Sequence, residues 1–303
     1  MAAVFQHILN GLMQGTIYGL VAMGFTIFFG VMNVIKFSHG DVLTFGAFAA
    51  IVAVWTTSGL GLPIWLQVIF VFLAAMLVSA VAGAAISHFL IMPLRNAPPL
   101  NMLLMTMMTG TVLRETIRLF FPNGTNSQRF PELLPVGGLN IGGVFIRYDG
   151  MILIASGIAS IAIVHWIIVH TRFGLAVRAV AEDSETARTM GINFSRTILL
   201  TFALGSITAG FAGALFGLYY SEINYGMGLL LAIIGFSAAI VGGLGNIWGA
   251  ILGGYLFAGL QTFVVAAAPS MSDYKNVFAF ICVIALITLR PTGLIAERKA
   301  ERV

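Results

Sequence analysis

Three short stretches of this chain hold the side chains and backbone that could do chemistry. The first is Gly30-Val-Met-Asn-Val-Ile-Lys-Phe-Ser-His-Gly-Asp41, polar and glycine-bearing between apolar runs. His39 could carry a proton or ligate a metal, but a metal site needs several donors and only Asp41 stands at ligand spacing. His39 therefore reads as a loop residue satisfying nearby backbone. Ser38, followed three residues later by Asp41, resembles a capping box with Asp where Glu or Gln is preferred. It predicts a helix from Asp41 to about Thr56. The second stretch, Val241-Gly-Gly-Leu-Gly-Asn246, invites comparison with phosphate loops. No Gly-Lys-Ser/Thr follows it and no Asp or Glu lies near, so it is not a nucleotide site. Gly245, Gly249 and Gly253 repeat at four residues and predict a tight backbone crossing instead. The third stretch, Arg172 to Arg196, holds seven of the 26 charged residues: Arg172, Arg178, Glu182, Asp183, Glu185, Arg188 and Arg196. Within it Ala179 to Met190 reads as one short helix, with Val177, Val180, Ala181, Ala187 and Met190 as its apolar positions. Gly191 sits where a C-cap is expected, and Asn193 could start the next helix. Composition alone leaves two readings of this stretch: a solvated linker obeying the charge rules of membrane loops, or a helix gripped by a soluble partner.

The elements that must position these stretches are membrane spans. A mean hydropathy of +1.00, with 59% hydrophobic and 9% charged residues, lies far outside the range of soluble domains. The fold class is all-α: a polytopic helical membrane protein with one transmembrane domain over residues 1–303 and eight or nine spans, re-entrant segments among them. Spans are predicted from about Ile8 to Phe29, Asp41 to Thr56, Ile64 to Met92, Leu100 to Phe121, Met151 to His170, Thr197 to Tyr219, Leu229 to Ile240, Ile247 to Ala267 and Asn276 to Leu289. The first lacks a preceding Lys or Arg and a following cleavage pattern, so it reads as a retained span. Gly11, Gly15 and Gly19 leave one of its faces bare for close helix packing. The fourth span carries Arg114, Glu115 and Arg118, which could line a water-filled path; their closeness to Pro122 and Asn123 favours the plainer reading that they mark the membrane interface. Pro122 to Gly150 is the longest loop, with β-prone pieces such as Val144 to Tyr148.

Several function classes drop out. The one cysteine, Cys282, lies in an apolar run, so neither a disulfide framework nor a cysteine metal site is available. Five scattered histidines and no clustered carboxylates argue against hydrolytic or metal chemistry, and no cofactor is expected. The basic residues sit at membrane boundaries and form no continuous stripe, which argues against nucleic acid. Nine passes put Lys36, Arg95, the four arginines of 172–196, Arg290, Arg298, Lys299 and Arg302 on one side, ten of fifteen basic residues. That side is expected to be cytoplasmic, with the N-terminus and the 122–150 loop outside and the C-terminus inside.

Three segments carry a family resemblance. Met32-Asn-Val-Ile-Lys-Phe-Ser-His-Gly-Asp41 is similar to an IN-F-[AS]-H-G-[ED] segment. The others are Arg172 to Asp183 continuing to Asn193, and Val241 to Ala250 with Gly253-Gly254, followed by Arg290-Pro-Thr-Gly-Leu294. In order and spacing the chain resembles the permease subunit of bacterial branched-chain amino acid ABC importers, proteins of the inner membrane. The resemblance implies that Glu182, Asp183, Glu185, Ala187 and Gly191 form a coupling element seated in a groove of an ATP-hydrolysing subunit. That ATPase must be a separate chain, since no Walker motif is present here. It also implies a second, related permease as the heterodimer partner and an external solute-binding protein that delivers leucine, isoleucine or valine through a lipid-embedded path. Asn33, Ser38, His39, Asp41, Gly242, Gly243 and Gly245 are the candidate path or gating residues. Segments 33–50 and 241–260 share a loop-then-glycine-rich-helix character, consistent with an inverted repeat. Urea, short amides and other neutral amino acids stay open as substrates. The rival of another class is an ion-coupled transporter, with Asp41 or Glu222 as the coupling carboxylate.

Overall fold

The computed structural model describes residues 2–32, 34–95, 97–135, 137–141 and 144–295. Asn33 and the charged tail from Glu297 to Arg302 therefore lie outside the described residues. Helix α1 (Ala2–Met32) is the axis of the molecule. Leu20, Val21, Ala22 and Met23 are consecutive and fully buried, so α1 is covered on every side and has no polar stripe to present. Around it pack α2 (His39–Ser58), α8 (Phe194–Tyr220), α9 (Met227–Gly242) and α10 (Ile247–Ala267). The spans of α1, α2 and α8 are 83%, 72% and 72% buried, against 28% for α3 (Ile64–Ile86, continued by a π turn to Ile91) and α5 (Tyr148–His170). The last helix, α11 (Lys275–Leu289), is 11% buried with the turn before it. An inner layer holds the irregular backbone and an outer layer turns Leu, Ile, Val and Phe outward.

Seven of the described helices are long and apolar enough to cross a membrane. Of the nine predicted passes, two fall outside that set. Helix α9 has 16 residues, and α4 (Pro99–Phe120) carries Arg114, Glu115 and Arg118. The predicted glycine packing holds: Gly11, Gly15 and Gly19 face Thr262, Tyr255 and Ile251 of α10.

At one end, β1 (Gln128–Arg129) in the loop after α4 pairs antiparallel with β4 (Glu222–Ile223) after α8. The β-prone piece forms a hairpin, β2 (Gly138–Ile141) with β3 (Val144–Arg147). The buried Phe130 ring lies against Gly217 of α8, and Gln14 Nε2 of α1 donates to Tyr220 Oη at 2.5 Å, tying the same end together. Where the hairpin meets α5, the Asp149 carboxylate beside Arg147 pushes the guanidinium pKa further up. At the other end lie the 172–193 stretch, the break after α9 and the turn after α11. The N–H groups of Leu294 and Ile295 donate to the carbonyls of Val241 and Gly242 at 2.7 and 3.0 Å.

The 172–193 stretch departs from the single predicted helix. It forms α6 (Arg172–Glu182) and α7 (Ser184–Thr189), broken at Asp183. Asp183 is extended, and its Oδ1 accepts from the N–H groups of Glu185 and Thr186 at 2.9 and 3.2 Å. An Asp that caps α7 cannot also continue α6, because the N-cap residue leaves the helical region.

Candidate functional site

The first candidate cluster is built by the break between α1 and α2. After Met32 the chain turns back, and α2 begins with His39 against Gly24 of α1. Gly24 precedes Met32 by eight residues, so α2 starts about 12 Å inside the end of α1. The segment 34–41 thus lies deep in the bundle. His39 is fully buried, its ring edge-on to Phe25 at 4.9 Å and Phe28 at 5.2 Å between centroids. A side chain at residue 24 would fill the space of the imidazole, which makes that glycine the condition for the site. Among the described residues, neither ring nitrogen of His39 nor Ser38 Oγ has a hydrogen-bond partner. The carbonyl of Val21 comes near the ring but not within hydrogen-bond geometry.

The predicted capping box does not form. Ser38 precedes the helix with φ −63° and ψ −4° and makes no side-chain cap, because Asp41 points away to α4. Arg114 Nε and Nη2 donate to Asp41 Oδ1 and Oδ2 at 3.0 and 3.2 Å, a two-pronged pair with side-chain exposures of 20% and 5%. Gly110, one helical turn before Arg114, gives Asp41 its room. Arg114 therefore does not mark the membrane interface as expected. The geometry reserves Asp41 for a cation already inside the protein. Glu115 and Arg118 are paired with each other on the surface of α4.

Lys36, which by sequence serves only to count charge by side, is 1% exposed. Its ammonium donates to Ser206 Oγ of α8 at 3.3 Å and lies 4.4 and 4.9 Å from the ring centroids of Phe28 and Phe202. Among the described residues no carboxylate pairs with it. The signal in the sequence is a lone cation in the apolar run Val34-Ile-Lys-Phe37.

Gly242, Gly243 and Gly245 form a separate group. Gly242 ends α9 against the backbone of Gly249, Gly243 at φ +112° meets the carbonyl of Ile295, and Gly245 has φ +94°. The crossing predicted from Gly245, Gly249 and Gly253 exists for the last two, which face Gly242 and Ala238. Gly245 belongs to the turn and not to the crossing. His39 meets the face of α1 that bears Gly24 and Phe28. Gly245 instead lines a cleft of about 260 Å³ with Thr26, Gly30 and Val31 of α1 and Val177, Arg178 and Glu182 of α6.

The coupling candidates divide by direction. Glu182 and Glu185 are exposed, whereas Ala187 is 4% exposed and anchors α7. Gly191 adopts φ +85°, as a C-cap requires, its N–H donating to Arg188 and that of Ile192 to Ala187, both at 3.0 Å. Asn193 Oδ1 accepts from Arg196 N–H at 3.0 Å and starts α8. Met190, by spacing an apolar-face residue, is 80% exposed, and Leu175 is 60% exposed.

The sequence that builds this bundle and its outward-facing helix pair matches a known protein family. The model of the branched-chain amino acid transport system / permease component family fits residues 7–287. The chain belongs to that family. It is 32% identical to the high-affinity branched-chain amino acid transport system permease protein BraD of Pseudomonas aeruginosa, over 98% of this chain and 97% of that protein. It is 31% identical to the permease protein LivH of Escherichia coli K12 over the same shares of the two chains. The LivH protein of Methanocaldococcus jannaschii is 29% identical over 91% of this chain. These relatives are transport permease proteins and not enzymes. The permease is a multi-pass membrane protein.

Proposed function

We propose that this permease is the membrane-spanning subunit of an ATP-driven importer of branched-chain amino acids, working with separate ATPase subunits, a second related permease and an external solute-binding protein. The observation that carries this reading is the α6–α7 pair. Its two helices are fixed by caps at Thr171, Asp183 and Gly191. It presents Leu175, Glu182, Glu185 and Met190 outward and roots Val177, Val180 and Ala187 inward. Exposed apolar groups ringed by charge are the chemistry of a protein contact, with the charges fixing register. A short rigid element so rooted converts closure of the ATPase pair into tilt of α5 and α8. On this reading Arg172–Arg196 is cytoplasmic, the N-terminus and the 122–150 loop are outside, and the C-terminus is inside.

The ion-coupled alternative loses its candidates: Asp41 is bound to Arg114, and Glu222 is exposed in β4. The test is co-purification from gently solubilised membranes, followed by uptake of labelled leucine into vesicles with and without ATP. ATPase and second-permease chains in the complex, with leucine entry only with ATP, support the proposal. Gly191→Pro and Glu185→Arg are expected to release the ATPase while leaving membrane insertion intact; normal co-purification and uptake in both would overturn the coupling role. Uptake driven by an ion gradient with no ATPase attached would overturn the importer reading. An assembled, active complex that ignores leucine would direct the search to urea, amides and other amino acids.

A further inference from the structure

The break before α2 holds more donors than acceptors. The Lys36 ammonium has three N–H groups, of which one reaches Ser206 Oγ. A neutral imidazole has one N–H, and that of His39 makes no well-aligned hydrogen bond among the described residues, the Val21 carbonyl lying nearest. Both groups touch the same ring: Lys36 Nζ is 4.4 Å from the Phe28 centroid, and the His39 ring is 5.2 Å from it. The surrounding walls are aromatic, from Phe25, Phe28 and Phe202. A cation enclosed in this way, without a carboxylate and on irregular backbone deep between helices, is a functional group by default. The contrast is close by in sequence: Asp41 has Arg114, while among the described residues no anion pairs with Lys36.

We propose that Lys36 and His39 form a carboxylate-binding site, closed in this conformation, that takes the α-carboxylate of the transported amino acid as the break opens. The assignment rests on the importer reading above. A carboxylate entering here accepts hydrogen bonds from the ammonium and the imidazole N–H together, supplying the counter-charge that the bundle lacks. The apolar side chain of the substrate would then lie against the phenylalanine walls. An inorganic anion such as chloride offers the same charge, and the experiment separates the two.

The test uses the complete importer complex in lipid nanodiscs, with saturable binding of labelled leucine measured in the absence of the solute-binding protein. Alongside it, ATP-driven leucine uptake is measured in vesicles with the binding protein present. Leucine is expected to displace the label, and leucinamide and chloride are not. Lys36→Met, which keeps the volume and removes the charge, is expected to weaken binding about tenfold or more, as loss of a charge-assisted hydrogen bond would. Lys36→Arg should restore most of it. Co-purification of the complex checks assembly in both variants. Should Lys36→Met fail to assemble, His39→Leu supplies the second arm, with a loss of about threefold to tenfold expected from one neutral donor. Binding unchanged in Lys36→Met, or equal displacement by leucinamide, would overturn the site, as would competition by chloride. If wild-type vesicles take up no leucine with ATP, the branched-chain substrate of the importer reading fails instead, which is a separate result.

Discussion

The two helix breaks, 34–38 before α2 and 243–246 before α10, solve the same problem in opposite ways. The break before α10 is closed by its own chain: Asn246 Oδ1 accepts from Gly249 N–H at 3.1 Å. Gly243 and Gly245 take backbone angles that other residues resist, and residues 294–295 complete the carbonyls at the end of α9. The break before α2 buries Lys36, Ser38, His39 and Asp41 and, among the described residues, has no side-chain cap and leaves Ser38 Oγ and both His39 nitrogens unpartnered. Buried polar groups without partners cost roughly 1–3 kcal/mol each, so a fold selected for stability alone would fill or remove them. On the importer reading proposed above, the second break is architectural and the first serves transport.

That assignment can be broken from either side. The largest effect is expected from Arg114→Met, which strands Asp41 as a buried charge at a cost of about 3–5 kcal/mol. A strongly lowered unfolding midpoint in detergent checks it, with partial recovery in the double variant carrying Asp41→Asn. Gly24→Val should come next: its side chain must occupy the His39 space, and overpacking of this kind costs about 1–3 kcal/mol, with uptake lost more completely than stability. Asn246→Ala removes a cap worth about 1 kcal/mol and should leave uptake per folded complex unchanged; loss of uptake with folding intact would make the second break functional as well. The smallest stability effect belongs to Ser38→Ala, within about 0.5 kcal/mol of wild type, because no bond is lost. If uptake falls in that variant while the unfolding midpoint holds, the hydroxyl serves transport.

The features legible in the sequence are local. The caps at Gly191 and Asn193, the hairpin piece ending at Tyr148, the glycine faces of α1 and α10, and the outward Glu182 and Glu185 all depend on residues a few positions apart. The hidden features are set by distance or by competition. The partner of Asp41 is 73 residues away, so a local capping box is the only partner that spacing can suggest. Asp183 reads as one charge among several, although its short side chain captures the next two N–H groups and splits the helix. Met190 has the spacing of a core residue, but the turn at Gly191 ends the helix before that face meets the bundle. Lys36 looks like a boundary charge because nothing in its neighbours says that the chain doubles back by about two helical turns.

The ion pair between α2 and α4 also bears on how the permease enters its membrane. A lone α4 would carry Arg114 into hydrocarbon, at about 2.5–3.5 kcal/mol for an arginine near a helix centre, and its composition leaves it outside the helices apolar enough to cross unaided. Asp41 is synthesised 73 residues earlier, so its carboxylate is already in place when Arg114 emerges. The expectation is that α4 enters as a guest of α2: a rearranged chain that makes α4 first should leave it at the membrane surface, which accessibility labelling of α4 would check.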